Sequence, residues 1–218
     1  MIGLLWPGSG RRVRTEKTVL AGLRLLRAEV CGRRGLDRAC RVLARSGVRR
    51  VLLHRGLEGA ALPRGLAPID PGLLYRHMAH RLVLAALDRR DIPPERAVVE
   101  VRGGTVNDDV CRAAARLCVR VGQVRICAGP GSARVQESLL RTFGMAADPA
   151  APADLTLRMD GPDGGEELYL AGPRLRTGGA VLAGPEPMGE ELEVDGDSLL
   201  CALWQAGLVA EHNILIVY

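Results

Sequence analysis

Apolar residues recur every three or four positions in several stretches of the chain, and short runs of Val, Leu and Ile fall between them. From Leu36 to Ser46, the side chains of Leu36, Ala39, Cys40 and Leu43 share one helical face and Arg38, Arg41 and Arg45 the other, which predicts an amphipathic helix. Gly47 ends it, and Val48–Leu53 follows as a strand. Asp70 and Pro71 fit an N-cap and first helical residue, predicting a helix from Pro71 to about Arg90 that stops before Pro93-Pro94. Ala97–Val101 then reads as a strand, Asn107–Arg120 as a helix, Val124–Ala128 as a strand and Ser132–Phe143 as a helix capped by Gly144. Met1–Leu5 reads as a short strand stopped by Trp6-Pro7-Gly8. Thr15–Val30 is ambiguous: Leu20, Leu23 and Leu26 fit a helix, whereas Leu23 and Leu25 alternate about Arg24 as in a strand.

Strands and helices that alternate at these spacings predict an α/β fold, a Rossmann-like three-layer sandwich with a largely parallel sheet. Val48–Leu53, Ala97–Val101 and Val124–Ala128 are expected as neighbours in one sheet, each buried on both faces. The tail changes character. Leu155–Met159, Glu167–Leu170, Gly179–Leu182 and Leu192–Val194 are short strand candidates, followed by a helix at Ser198–Ala206 and a strand at Asn213–Tyr218. They are expected to extend the sheet with mixed strands. No repeat or low-complexity linker interrupts the chain. The expected organisation is one α/β domain over 1–218, with a Rossmann-like core at about 36–160 and a β-rich extension at 161–218.

Composition narrows the partners. Hydrophobic residues make up 47% of the chain but aromatic residues only 3%, so the core is packed from aliphatic side chains and few rings are left on which bases could stack. The net charge is +5, yet the arginines are spread along the chain and the acidic residues gather between Asp154 and Asp197, which argues against a nucleic-acid surface. Lys17 is the sole lysine, a bias that a GC-rich bacterial genome explains. A protein partner or a small anionic ligand fits better. The first residues lack the basic start and long apolar run of a secretory signal, and no stretch approaches the roughly 20 apolar residues of a membrane span. A cytoplasmic protein is expected, with its six cysteines as free thiols.

Candidate chemistry gathers in the middle of the chain. A strand (AVVEV), a glycine turn (RGGTVND), a helix (DVCRAAARLCVRV), a strand (VRICAG), a helix ending in FGM and then PADLTL follow in order. This order resembles the NAD(P)-binding domains of the shikimate dehydrogenase and glutamyl-tRNA reductase type, over about a quarter of the chain. The resemblance implies a Rossmann-like fold with ligand contacts at the strand ends. The glycines depart from a dinucleotide fingerprint, since Gly103 and Gly104 are adjacent and no third glycine follows before Asp109. Asp108 and Asp109 stand where a pyrophosphate needs bare amides, and one of them is expected to cap the helix. Ala128-Gly129-Pro130 offers no acid to hold a ribose. No cofactor is therefore expected.

The residues placed at the strand ends are Gly103, Gly104, Thr105 and Asn107 in the first turn and Gly129, Gly131, Ser132 and Arg134 in the second. Ser132, Arg134 and the first helix amides could receive a phosphate, or Ser132 could simply cap its helix. His77 and His80 have helical spacing for a shared metal but lack a local third ligand, so no metal site is expected. Cys111 and Cys118 read as small core residues. No Ser-His-Asp, Walker-A or H-E-x-x-H pattern supplies a catalytic residue. Two readings remain open. One is a non-catalytic partner-binding or regulatory protein on a degenerate scaffold; the other is an enzyme or ligand-binding protein with a non-standard phosphate site at Gly103–Asn107 or Gly129–Arg134.

Overall fold

The apolar start of the chain becomes the middle of a sheet. In the computed structural model, which describes residues 1–10, 12–31, 34–171, 175–185 and 193–218, β1 (Ile2–Pro7) lies between two parallel neighbours, β3 (Leu23–Val30) and β4 (Arg50–Leu53). The ambiguous segment resolves as a hairpin: β2 (Thr15–Leu20) pairs antiparallel with β3. Its two turn residues, Ala21 and Gly22, both have positive φ, 47° and 81°, the backbone twist that two-residue hairpins favour. With β5 (Ala67–Pro68) parallel to β4, the sheet order is β2-β3-β1-β4-β5.

The predicted amphipathic helix forms as α1 (Gly35–Arg45). Its Ala39, Cys40 and Leu43 join Leu5, Ala28, Val48 and Val51 in one buried cluster. Gly3 lies beneath the helix, where a Cβ would stand 3.0 Å from side-chain atoms of Leu43, Val48 and Val51. The opposite face of the sheet carries Leu4, Leu25 and Leu52, also buried, in the same rows as Arg50. Arg50 Nη1 donates to Gln205 Oε1 at 2.6 Å, which ties the C-terminal end of α6 (Gly196–Gln205) to β4, while Ser198 Oγ and Cys201 Sγ of the same helix lie 3.4 Å from the Ile69 and Asp70 carbonyls. These elements belong to a unit made of Met1–Pro71 and Ala183–Leu215.

A second unit comprises Gly72–Leu182 and Ile216–Tyr218. Its sheet has the order β10-β9-β8-β6-β7. Here β6 (Val98–Arg102) lies between β7 (Gln123–Cys127) and β8 (Leu155–Arg158), both parallel to it. β9 (Leu168–Tyr169) continues parallel to β8, and β10 (Arg176–Thr177) closes the edge antiparallel to β9. Of the tail candidates, Leu155–Met159 and Glu167–Leu170 extend the parallel core as β8 and β9, whereas the closing strand β10 was not expected and Gly179–Leu182 and Asn213–Tyr218 do not join this sheet. α4 (Asp108–Cys118) and α5 (Ser132–Phe143) follow β6 and β7.

The predicted helix at 71–90 is two helices, α2 (Gly72–His77) and α3 (Ala79–Arg89), with Met78 at a ψ of 3° between them. β11 (Val181–Ala183) and β12 (Leu215–Val217) form a separate two-stranded sheet. The strand candidate Leu192–Val194 lies partly outside the described residues; Val194 forms a single antiparallel bridge with His54.

One expectation is overturned. Val48–Leu53 does not neighbour Ala97–Val101 and Val124–Ala128, because β4 belongs to one sheet and β6 and β7 to another. The structure is therefore a mixed α/β fold with two mostly parallel five-stranded sheets. No helix among the described residues is long and apolar enough to cross a membrane.

Candidate functional site

β6, β7 and β8 are parallel, so the turns that leave their C-terminal ends meet on one edge of the sheet, where open α/β sheets take ligands. In this protein the turns fill that space themselves. Asp160, just past β8, reaches into the turn between β6 and α4. Its Oδ1 accepts from the Gly104 amide, and its Oδ2 accepts from Asn107 Nδ2 at 3.0 Å and Thr105 Oγ1 at 3.4 Å. A Cβ on Gly103 would stand 2.7 Å from Asp160 Oδ1, so glycine there makes room for the carboxylate. From the other side Gly129, at φ 69°, packs against the same turn: a Cβ on it would lie 2.5 Å from the Gly104 carbonyl oxygen.

All four residues named for the first turn are thus gathered around one internal carboxylate. In the second turn, Gly131 is the N-cap of α5 with a φ of 97°. Ser132 does not cap from its own side chain. Its Oγ accepts from the Ala128 amide at 2.9 Å and donates to the Gly129 carbonyl at 2.8 Å, which holds the turn shut. Arg134 is exposed on α5.

The expectation that Asp108 or Asp109 caps α4 is corrected. Asn107 caps it, with Oδ1 accepting from the Val110 amide at 3.0 Å. Its extended backbone, φ −130° and ψ 176°, points the short amide back over the first turn as a cap requires. Asp109 instead pairs with Arg76 at 3.2 Å and Arg112 at 2.9 Å.

The larger concentration of charge was not anticipated. Along β7, β6 and β8, Val99, Val101, Val124, Ile126, Leu155 and Leu157 are buried. The alternate positions on the other face hold Arg125, Glu100 and Thr156 in one row and Cys127, Arg102 and Arg158 in the next. Glu100 accepts from Arg125 Nε at 2.7 Å and also pairs with Arg102. Glu166 accepts from Arg158 Nε at 2.7 Å and from the Gly164 amide at 2.9 Å, with Arg102 Nη1 at 3.5 Å. Arg125 Nη1 also donates to the Ala151 carbonyl at 2.7 Å.

Glu100 and Glu166 are 4% and 7% exposed, so these are buried carboxylates with their partners in place. The Arg158 hydrogen bond outweighs burial and holds Glu166 down to about 2. Burial pushes Glu100 upward, but the bonds from Arg102 and Arg125 win and leave it below its ordinary value. The expectation that these strands are buried on both faces fails for β7, where Arg125 is half-buried and Cys127 exposed, and where the second face is buried, at Glu100, it is charged rather than aliphatic. The signal was present in the sequence as the alternation of Val99-Glu100-Val101-Arg102, Val124-Arg125-Ile126 and Leu155-Thr156-Leu157-Arg158, which marks half-polar strands.

Other candidates are accounted for by local bonding. His54 Nδ1 accepts from the Gly56 amide at 2.9 Å, so its ring proton sits on Nε2, 2.6 Å from Glu193 Oε2. Both ring nitrogens are engaged in local hydrogen bonds. The ring also packs edge-on against Trp6, with centroids 4.5 Å apart. His77 and His80 fall on the two separate helices α2 and α3. Among the described residues no three His, Cys, Asp or Glu side chains are grouped to hold a metal ion. The six cysteines are unbridged, and burial raises the Cys118 thiol to about 11, which leaves it a packing residue. The chain matches no protein-family model, and none of the curated proteins matches it.

Proposed function

We propose that this protein is a non-catalytic, partner-binding or regulatory α/β protein whose second unit is a degenerate Rossmann-like half, related in plan to the NAD(P)-binding domains it resembles and working in a bacterial cytoplasm. The order β6-α4-β7-α5-β8, all three strands parallel, supports the likeness. A single observation carries the loss of ligand binding: the Asp160 carboxylate occupies the turn at the start of α4. A helix N-terminus favours one anion there. Here the chain supplies its own, and the first turn of α4 adds the carboxylates of Asp108 and Asp109, the latter paired with Arg76 and Arg112. A second anion would meet like charge in a crevice already closed by Gly129.

The test is calorimetric titration of the wild type and Asp160→Ala with NAD, NADP and inorganic phosphate. The wild type is expected to bind none of them at millimolar concentration. Asp160→Ala, with the turn vacated, is expected to gain phosphate binding. Micromolar binding of NAD or NADP to the wild type, abolished by a bulky residue at Gly104, overturns the reading.

A further inference from the structure

β2 is an edge strand with no neighbour beyond it among the described residues. The hairpin register and the bond from the Glu29 amide to the Arg14 carbonyl show which groups it leaves open. Residues 14, 16, 18 and 20 direct their backbone groups inward to β3. Thr15, Lys17 and Val19 therefore direct theirs outward, three N–H donors and three C=O acceptors along one line. Among the described residues no hydrogen bond reaches them. The side chains are open as well: Thr15 and Lys17 are exposed and Val19 is 64% exposed. Glu16 is paired with Arg27 at 3.1 Å, whereas Arg14, Lys17 and Arg24 have no carboxylate partner among the described residues. The edge is basic.

We infer that β2 takes an added antiparallel strand from a protein partner, an extended segment with an acidic residue opposite Lys17 and an apolar one opposite Val19. This rests on the partner-binding reading above and names the surface that would do the binding. A second copy of the chain fits less well. The register that uses all six outward groups would set the two Lys17 side chains directly opposite each other, a like-charge pair that weakens cross-strand pairing. The lysine that protects the edge from its own kind becomes an attraction when the incoming strand carries a carboxylate.

The probe is a capped heptapeptide, Thr-Val-Thr-Glu-Thr-Thr-Glu, titrated into the full chain and followed by NMR. Two further peptides accompany it, one with lysine at both glutamates and one N-methylated at the three amides that would face β2. The acidic peptide is expected to bind about fivefold more tightly than the lysine peptide. It should slow amide exchange at Thr15, Lys17 and Val19, while Glu16, Thr18 and Leu20 are already protected by β3. Lys17→Glu, an exposed change expected to leave Tm unaltered, should reverse the preference between the two charged peptides. Equal binding of the N-methylated peptide, an unchanged preference in Lys17→Glu, or no binding by any peptide at millimolar concentration overturns the edge proposal. The cofactor titration stands apart from all three outcomes and judges the reading beneath it.

Discussion

The two sheets share a plan and differ in what they bury. Each has five strands, with three parallel pairings and one antiparallel pair at an edge. In the first unit the buried residues of the central strands are aliphatic on both faces, Leu5, Ala28 and Val51 on one side and Leu4, Leu25 and Leu52 on the other, with the more exposed Arg27 and Arg50 flanking the latter. In the second, Val99, Val101 and Leu157 back onto Glu100, Arg102 and Arg158. Burial alone therefore does not dictate apolar side chains. A buried carboxylate is tolerated when both of its oxygens find partners, and Glu166 has Arg158 and Arg102 at Oε1 and the Gly164 amide at Oε2. The aliphatic face depends on contact area, the charged face on partners being complete.

That contrast can be broken most severely in the first unit. Leu52→Arg puts a charge on a face with no carboxylate among Leu4, Leu25 and Leu52, and should cost upwards of about 4 kcal/mol. Urea denaturation would show it, and a loss under about 1 kcal/mol would mean that this face is not a dry core. In the second unit Arg158→Ala removes the strongest partner of Glu166 and should cost about 3 kcal/mol, since it strands a buried carboxylate. A near-neutral result would mean that Arg102 takes over and the network is redundant.

The gentlest probe is pH. Glu166 has its folded value lowered to about 2, so its contribution is complete above the ordinary carboxylate value and is lost as pH falls towards 2. Glu100 is shifted in the same direction. Thermal melting between pH 5 and pH 2 should therefore show a decline in Tm that is shallower in Glu166→Gln. Parallel profiles for the two proteins would remove Glu166 from the account.

Local pattern revealed the elements better than their pairing. The helical faces of α1, α4 and α5 follow directly from apolar residues spaced three and four apart, and the strands β6 and β7 from runs between glycine turns. Nothing local distinguishes Val48–Leu53 from Ala97–Val101 as members of different sheets, because both are short aliphatic runs. The hairpin at Thr15–Val30 was hidden because Leu20, Leu23 and Leu26 also satisfy a helix, and its turn is Ala21-Gly22 rather than the more telling Asn-Gly. At the candidate site the two glycine turns were visible. Asp160 was not, since it lies 53 to 56 positions from the residues it bonds and sits in a stretch that reads as an ordinary acidic loop. The alternation in β6–β8 was legible, but the prior for parallel strands between helices outweighed it.

The first unit is drawn from two separate stretches of chain, with the whole of Gly72–Leu182 placed between them. A ribosome makes these in order. When Met1–Pro71 has emerged, its strands can pair and α1 can seal one face, but α6 does not yet exist. The stretch Ala183–Leu215 that completes this unit follows only after the entire intervening unit has been made, on the order of ten seconds at ordinary elongation rates. Through that interval the first unit holds only part of the chain from which it is built.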